Sequence, residues 1–186
     1  MTTVVCVLKS GGCYTAEYVE RLKAGVDKHL SGHNFVCFSD VDVPCDRIKL
    51  TKNLPGWWSK LEIFKLTGAC LYFDLDTVIT GDLSEIAEYS HTFTMLSDFY
   101  VLDKPASGLM AWSGDYRYIL DDYDHNKTYS GHGDQGYIAT KVVPERFQSL
   151  FAGQVVSRKV TGTRNQNERV VCFHGEPRPH AVNWEV

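Results

Sequence analysis

A chain of 186 residues, 44% apolar and 23% charged, has an ordinary globular composition and enough length for a sizeable core. Its net charge of −4 argues against a nucleic-acid binder that works by neutralising phosphates, and no apolar stretch is long enough to span a bilayer. Charge is uneven along the chain. The middle is acidic, with Asp74, Asp76, Asp82, Asp98, Asp121, Asp122 and Asp124 among others, and the last third carries Arg158, Lys159, Arg164, Arg169 and Arg178. A basic segment folded back on an acidic centre could form a site for metal and phosphate; two solvated faces would give the same pattern.

Taken in order, Val4–Leu8 reads as a buried strand, and Met1–Leu8 lacks the basic start expected of a leader peptide. Lys9-Ser10-Gly11-Gly12 reads as a turn. Thr15 is an N-cap candidate for a helix that places Val19, Leu22, Val26 and Leu30 on one face. Phe35–Phe38 and Arg47–Leu50 read as the next strands. Pro55-Gly56 is a turn into an aromatic-rich short helix, Trp57–Leu66, and Leu71–Phe73 is a further strand. The alternation predicts a mostly parallel sheet with helices on its faces. Thr92–Leu96 and Leu109–Trp112 read as strands, Gly114–Tyr123 as a helix, Gly131–Gly136 as a glycine-rich loop into a short helix, and Val155–Ser157 and Val170–Phe173 as late strands. The six cysteines (Cys6, Cys13, Cys37, Cys45, Cys70 and Cys172) show no C-x-x-C spacing, and several sit in apolar runs. That is the pattern of reduced thiols, and a cytoplasmic location is expected. One domain over residues 1–186 is expected.

The chemistry concentrates in Leu71-Tyr72-Phe73-Asp74-Leu75-Asp76. An apolar strand delivers two carboxylates, two residues apart, at its end, where ligands collect in parallel sheets. Paired carboxylates hold hard divalent cations such as Mn²⁺ or Mg²⁺, leaving positions open for phosphate and water. His174 can add an imidazole, Arg178 can reach a phosphate oxygen, and Gly175 between them permits close backbone approach.

Asp74-Leu75-Asp76 resembles the DxD motif of GT-A-fold glycosyltransferases, and within them the chain looks most like the glycogenin-related retaining group, family eight. Further segments follow in the same order. Trp58-Ser59-Lys60-Leu61-Glu62-Ile63-Phe64 lies where that family has a donor-contacting lysine. Ser107-Gly108-Leu109-Met110 resembles its Asn-Ser-Gly segment with Ala106 in place of the asparagine. Gly133-Asp134-Gln135-Gly136 resembles its Asp-Gln motif, and Phe173-His174-Gly175-Glu176-Pro177-Arg178-Pro179 its metal and diphosphate segment. Register from Gly175 and Arg178 puts Cys172 at the family's histidine position and His174 two residues later, a shift of roughly 6–7 Å along a strand. Either could be the third protein ligand.

The resemblance implies a single GT-A-like (Rossmann-like) α/β domain with a mixed, mostly parallel central sheet flanked by helices. It implies a metal-dependent glycosyltransferase. Asp74, Asp76 and His174 would hold Mn²⁺ or Mg²⁺; Asp74 and Asp76, with Ser107, Gly108, Gly175 and Arg178, would hold a nucleotide-sugar donor, expected to be UDP-linked. Lys60, Asp134 and Gln135 would work at the transferred sugar. Residues about 1–80, ending in Asp74-Leu75-Asp76, would bind the nucleotide, and residues about 81–186 would serve donor sugar and acceptor, the acceptor being a saccharide or another hydroxyl-bearing molecule. Retention would follow either from front-face attack assisted by the leaving phosphate or from double displacement on Asp134.

Two other functions fit parts of the sequence. Asp74-Leu75-Asp76-Thr77-Val78 also matches the first motif of haloacid-dehalogenase-type phosphatases, with Asp74 as nucleophile and Asp121-Asp122 as the later acidic pair. A non-catalytic nucleotide-sugar-binding module would keep the same residues without turnover. Trp57 and Trp58 invite a sugar-stacking role, with at least one expected in the core.

Overall fold

In the computed structural model, residues 1–129, 133–161 and 167–182 are described; Gly131, His132 and Arg164 lie outside them. The chain forms β1 (Thr2–Leu8), α1 (Ala16–His29), β2 (His33–Ser39), β3 (Asp46–Lys49), a 3-10 segment (Gly56–Lys65), β4 (Cys70–Phe73) and β5 (Thr77–Ile79). There follow α2 (Ser84–Glu88), β6 (Phe93–Ser97), β7 (Pro105–Trp112), α3 (Tyr118–Asp121), α4 (Gly133–Lys141), β8 (Glu145–Arg146) and α5 (Phe147–Leu150). β9 (Val155–Ser157), α6 (Arg158–Thr161), β10 (Val170–Cys172) and a 3-10 turn (Pro179–Val182) complete it.

Seven strands make one sheet in the order β3-β2-β1-β4-β7-β6-β8. Four of its six pairings are parallel; β7 runs antiparallel to both β4 and β6. The mixed, mostly parallel sheet expected from the sequence is present. Alternation along its strands explains why both faces are covered. Val4, Cys6, Leu8, Leu71 and Phe73 enter one core with Val19, Leu22 and Val26 of α1. Val5, Cys70 and Tyr72 enter the other, with Leu61 and Phe64 of the 3-10 segment and Trp112 of β7.

A second sheet, β5-β10-β9, pairs β10 antiparallel to β5 and parallel to β9. The three residues Asp74-Leu75-Asp76 carry the chain from the large sheet to the small one. They are held at one end by the Asp74 N–H to the Gly108 carbonyl (2.9 Å) and at the other by the Phe173 N–H to the Asp76 carbonyl (2.9 Å).

Several expectations need correction. Thr15 precedes α1 in an extended conformation, but its side chain makes no capping hydrogen bond; its carbonyl accepts from the Tyr18 N–H instead. The helix expected over Gly114–Tyr123 is reduced to Tyr118–Asp121, because Asp115 bonds the Arg117 N–H in a local turn. The short helix expected over Trp57–Leu66 is present, wound as the 3-10 segment Gly56–Lys65. Its anchor is the buried Glu62 carboxylate, which accepts from the Thr51 and Lys52 N–H groups at 2.9 Å each and pairs with Lys65. No helix among the described residues is long and apolar enough to cross a membrane.

Candidate functional site

Sheet geometry brings the chemistry-bearing segments together. β4 and β7 are antiparallel neighbours with Phe73 opposite Leu109, so Asp74, just past the end of β4, meets Ser107 and Gly108 in β7. A Cβ at Gly108 would lie 3.5 Å from Asp74 Oδ2, an ordinary contact distance that shows how near β7 runs to the carboxylate. The 3-10 segment supplies Lys60, the first turn of α4 supplies Asp134, and the stretch after β10 supplies His174 and Gly175.

These residues line one cleft of about 520 Å³: Lys60, Asp74, Asp76, Ser107, Gly108, Asp134, Gln135, His174 and Gly175, with Cys172 among them. Every site residue expected from the sequence is there except Arg178. Arg178 lines an adjoining cavity of about 570 Å³ formed by the turn after β1, with Trp57, Lys60 and Asp74 shared between the two. Asp40 shapes that turn. Its carboxylate accepts from the Ser10 N–H (2.8 Å), the Ser10 hydroxyl (2.7 Å) and Lys9 (2.6 Å).

At the floor, Lys60 is buried and its ammonium lies 2.9 Å from Asp74 Oδ1 and 3.1 Å from Asp134 Oδ2. It also donates to the Ser107 hydroxyl (3.0 Å), which in turn donates to Asp134 Oδ2 (2.7 Å). Burial alone would lower the Lys60 pKa, but Asp134 and Asp74 outweigh it and hold the ammonium charged. The Tyr72 hydroxyl donates to Asp74 Oδ1 from below. Tyr72 was not singled out from the sequence, although a residue two before Asp74 on the same strand shares its face.

Asp76 sits differently. Burial first, then the neighbouring Asp74, pushes its carboxyl up to about 6 against the opposing pull of Tyr14, Arg178 and Lys60. The Tyr14 hydroxyl donates to Asp76 Oδ2 (2.6 Å), and Arg178 Nη1 lies 3.0 Å from the same oxygen. The guanidinium also touches the Tyr14 hydroxyl and lies 4.9 Å from its ring centroid. Tyr14 escaped the sequence reading because no local pattern links it to a carboxylate 62 residues later.

His174 shares a hydrogen bond through Nε2 with Ser157 (2.6 Å), and its ring stacks on Phe99 at 5.3 Å. Nδ1 makes no hydrogen bond among the described residues. Ser157 thus does for His174 what an outer-shell partner does for a metal-ligating histidine: with the proton on Nε2, it leaves the Nδ1 lone pair open. Burial, then Lys159, lowers the His174 pKa and favours the neutral, ligand-competent ring. Burial raises the Cys172 thiol, helped by Asp76 and Asp74, so it is held protonated. Among the described residues no three His, Cys, Asp or Glu side chains already converge as a ligand group. The donor set nonetheless fits a hard divalent cation, since two crowded carboxylates and a neutral imidazole face one cleft.

The structure does not bring Asp121 and Asp122 to this cleft. Both are exposed, and Asp122 pairs with Lys141 at 2.8 Å. The acidic pair that the phosphatase reading required is therefore missing beside Asp74.

No family model matches the chain, and no curated protein is similar to it in sequence. Solved structures are similar in fold. The glycosyltransferase GlyE of Streptococcus pneumoniae TIGR4 aligns over 95% of this chain and 55% of its own, with TM-score 0.68 and 12% identity. The bifunctional glycosyltransferase WbbM aligns over 96% and 46%, with TM-score 0.65 and 10% identity. The galactosyltransferase LgtC, solved with donor and acceptor sugar analogues, aligns over 95% and 88%, with TM-score 0.59 and 10% identity. The chain therefore spans about half the length of GlyE and of WbbM. At these identities the likeness is one of fold, and the GT-A-like architecture expected from the motifs is met.

Proposed function

We propose that this protein is a metal-dependent glycosyltransferase related to the glycogenin-like retaining group, moving a sugar from a UDP-linked donor to a hydroxyl-bearing acceptor. The observation that carries the reading is the single cleft at the carboxyl end of β4, where Asp74, Asp76, Lys60, Asp134 and His174 meet. The fold shared with known transferases supports it. The six cysteines, all free thiols, fit a cytoplasmic enzyme.

In this reading Asp74, Asp76 and His174 hold Mn²⁺ or Mg²⁺. The bound cation would supply charge stabilisation for a departing diphosphate. Arg178 releases Asp76 and takes a phosphate oxygen, for which its fork-shaped guanidinium is suited. The turn after β1 and Tyr14 line the cavity assigned to the nucleoside. The bond from the sugar's anomeric carbon to the diphosphate oxygen breaks, with the electron pair leaving on phosphate. The acceptor oxygen bonds the same carbon from the same face, and its proton passes to the leaving phosphate. Asp134 stabilises the positive charge that develops on the sugar ring, and Lys60 and Ser107 fix its orientation through Oδ2. That engagement favours front-face attack over double displacement on Asp134.

Calorimetric titration with UDP, GDP and a set of UDP-sugars, with and without Mn²⁺, tests the proposal. Mn²⁺-dependent binding of UDP is expected. Absence of nucleotide binding under every condition would overturn it.

A further inference from the structure

Exposed large aromatic side chains are costly in water and are informative when they rim a cleft. Trp57 and Tyr100 both line the cleft that holds the carboxylates, yet they are 64% and 69% exposed. Tyr100 has no part in the donor chemistry described above, and Trp57 stands where this cleft meets the cavity assigned to the nucleoside. The adjacent Trp58 behaves differently: it packs among Tyr123, Tyr129 and Tyr137 at centroid distances of 4.8, 5.9 and 6.2 Å. Of the two tryptophans singled out in the sequence, one is structural and the other presents its indole to solvent.

The backbone around both exposed rings is defined. The Trp57 indole lies against Gly133, where a Cβ would come 2.8 Å from Nε1; Gly133 also has a φ of +61°. Tyr100 sits on the turn between β6 and β7, which Asp98 braces. Asp98 Oδ1 accepts from the Tyr100 N–H (2.8 Å) and the Val101 N–H (2.9 Å), and the Asp98 N–H donates to the Lys104 carbonyl (2.7 Å). The Tyr100 ring meets His174 edge-on at 5.4 Å. The next two residues, exposed Val101 and Leu102, do not line the cleft. The turn that carries Tyr100 and the glycine that lies against Trp57 belong to the fold itself, which lowers the ordering cost of binding.

We infer that Trp57 and Tyr100 form the acceptor platform, and that the acceptor presents there a pyranose ring with an open C–H face. A pyranose has one apolar face of C–H bonds and a polar rim of hydroxyls. Aromatic rings take the face, while polar groups nearby take the hydroxyls. Asp98 and Gln135 line the same cleft and are the polar groups at hand. A flat aliphatic ligand would not use them. This inference rests on the transferase reading, since it is the cleft with Asp74, Asp76 and Asp134 that makes the bound saccharide an acceptor.

The test is a glycan array probed with wild type, Tyr100→Ala, Tyr100→Phe and Trp57→Ala in the presence of UDP and Mn²⁺, with UDP affinity measured in parallel by calorimetry. Wild type should retain a set of glycans that share a terminal pyranose. Tyr100→Ala and Trp57→Ala should each weaken that retention at least tenfold. Tyr100→Phe, which keeps the ring, should stay within about threefold of wild type. Tyr100→Ala should bind UDP as wild type does. The inference is overturned if wild type binds UDP but retains no glycan, or if Tyr100→Ala retains the same glycans undiminished. Glycan retention that depends on both rings, in a protein that binds no nucleotide, would sustain the saccharide platform and sink the transferase reading instead.

Discussion

Asp74 and Asp76 are two residues apart and are held in opposite ways. Asp74 belongs to a network built from inside the large sheet. Lys60, Ser107, Asp134 and Tyr72 reach it or one another from β4, β7, α4 and the 3-10 segment, and the ammonium is shared between two carboxylates. Asp76 faces the small sheet and the C-terminal stretch, and its cation is a single guanidinium on a segment beyond β10. The first region has its charges paired within the folded protein before any ligand binds. The second holds a carboxyl pushed up to about 6, a cost that a bound cation would remove. The difference separates a permanent counter-ion, Lys60, from a replaceable one, Arg178.

Removing the permanent one should have the largest effect. Lys60→Met leaves Asp74 and Asp134 without their shared cation, a loss of about 3–5 kcal/mol for a buried ion pair broken on one side. Thermal unfolding should shift down by about 10 °C, and transfer should disappear. A midpoint within about 2 °C of wild type would show that the network is solvated and not structural. Asp76→Asn should do the reverse: removing a disfavoured charge leaves unfolding unchanged or slightly later. Mn²⁺-dependent UDP affinity should fall about 100-fold, or about 2.7 kcal/mol. Normal UDP binding by this variant would remove the metal assignment.

The same contrast separates what could be read in the sequence from what could not. β1, β2, β4 and α1 were legible because their signals are local. Strands buried on both faces read as apolar runs, and Val19, Leu22 and Val26 recur at helical spacing. Lys60, Asp74, Ser107 and Asp134 were legible as motifs in order, and the sheet brings them within hydrogen-bond reach. β5 was not legible. Its three residues form a strand only because Val78 pairs with Val171, far along the chain. Tyr14 and Ser157 were missed for the same reason: each matters through a partner supplied by tertiary packing, Asp76 in one case and His174 in the other. Trp57 and Trp58 could not be told apart until Gly133 and the tyrosine cluster were in place.

Glu62 sharpens the comparison from the permanent side. Burial would raise its carboxyl, but Lys65 and the Thr51 and Lys52 amides bring it below its ordinary value. A lowered carboxyl contributes stability that is fully present above the unfolded value of about 4.3 and is lost as pH falls through the lower folded value. Glu62→Gln should therefore cost about 1–3 kcal/mol at neutral pH, measured by urea unfolding. The gap from wild type should close as pH drops below about 4. A gap that persists at pH 3 would mean that shape, and not charge, holds the 3-10 segment.

Arg178→Ala should have the smallest effect on the fold and still report on function. The side chain is 21% exposed and its partner Asp76 gains from neutralisation, so the folding cost should stay under about 1 kcal/mol. UDP affinity should fall about tenfold, or about 1.4 kcal/mol. Arg178→Lys should recover part of it, because an ammonium keeps the charge but loses the two-pronged contact with phosphate. The two readouts have to diverge. If Arg178→Ala lowers stability as Lys60→Met does and leaves UDP affinity unchanged, Arg178 is a second structural cation. Asp76 would then be a neutralised carboxylate in the fold, and the distinction between the two aspartates would fall with it.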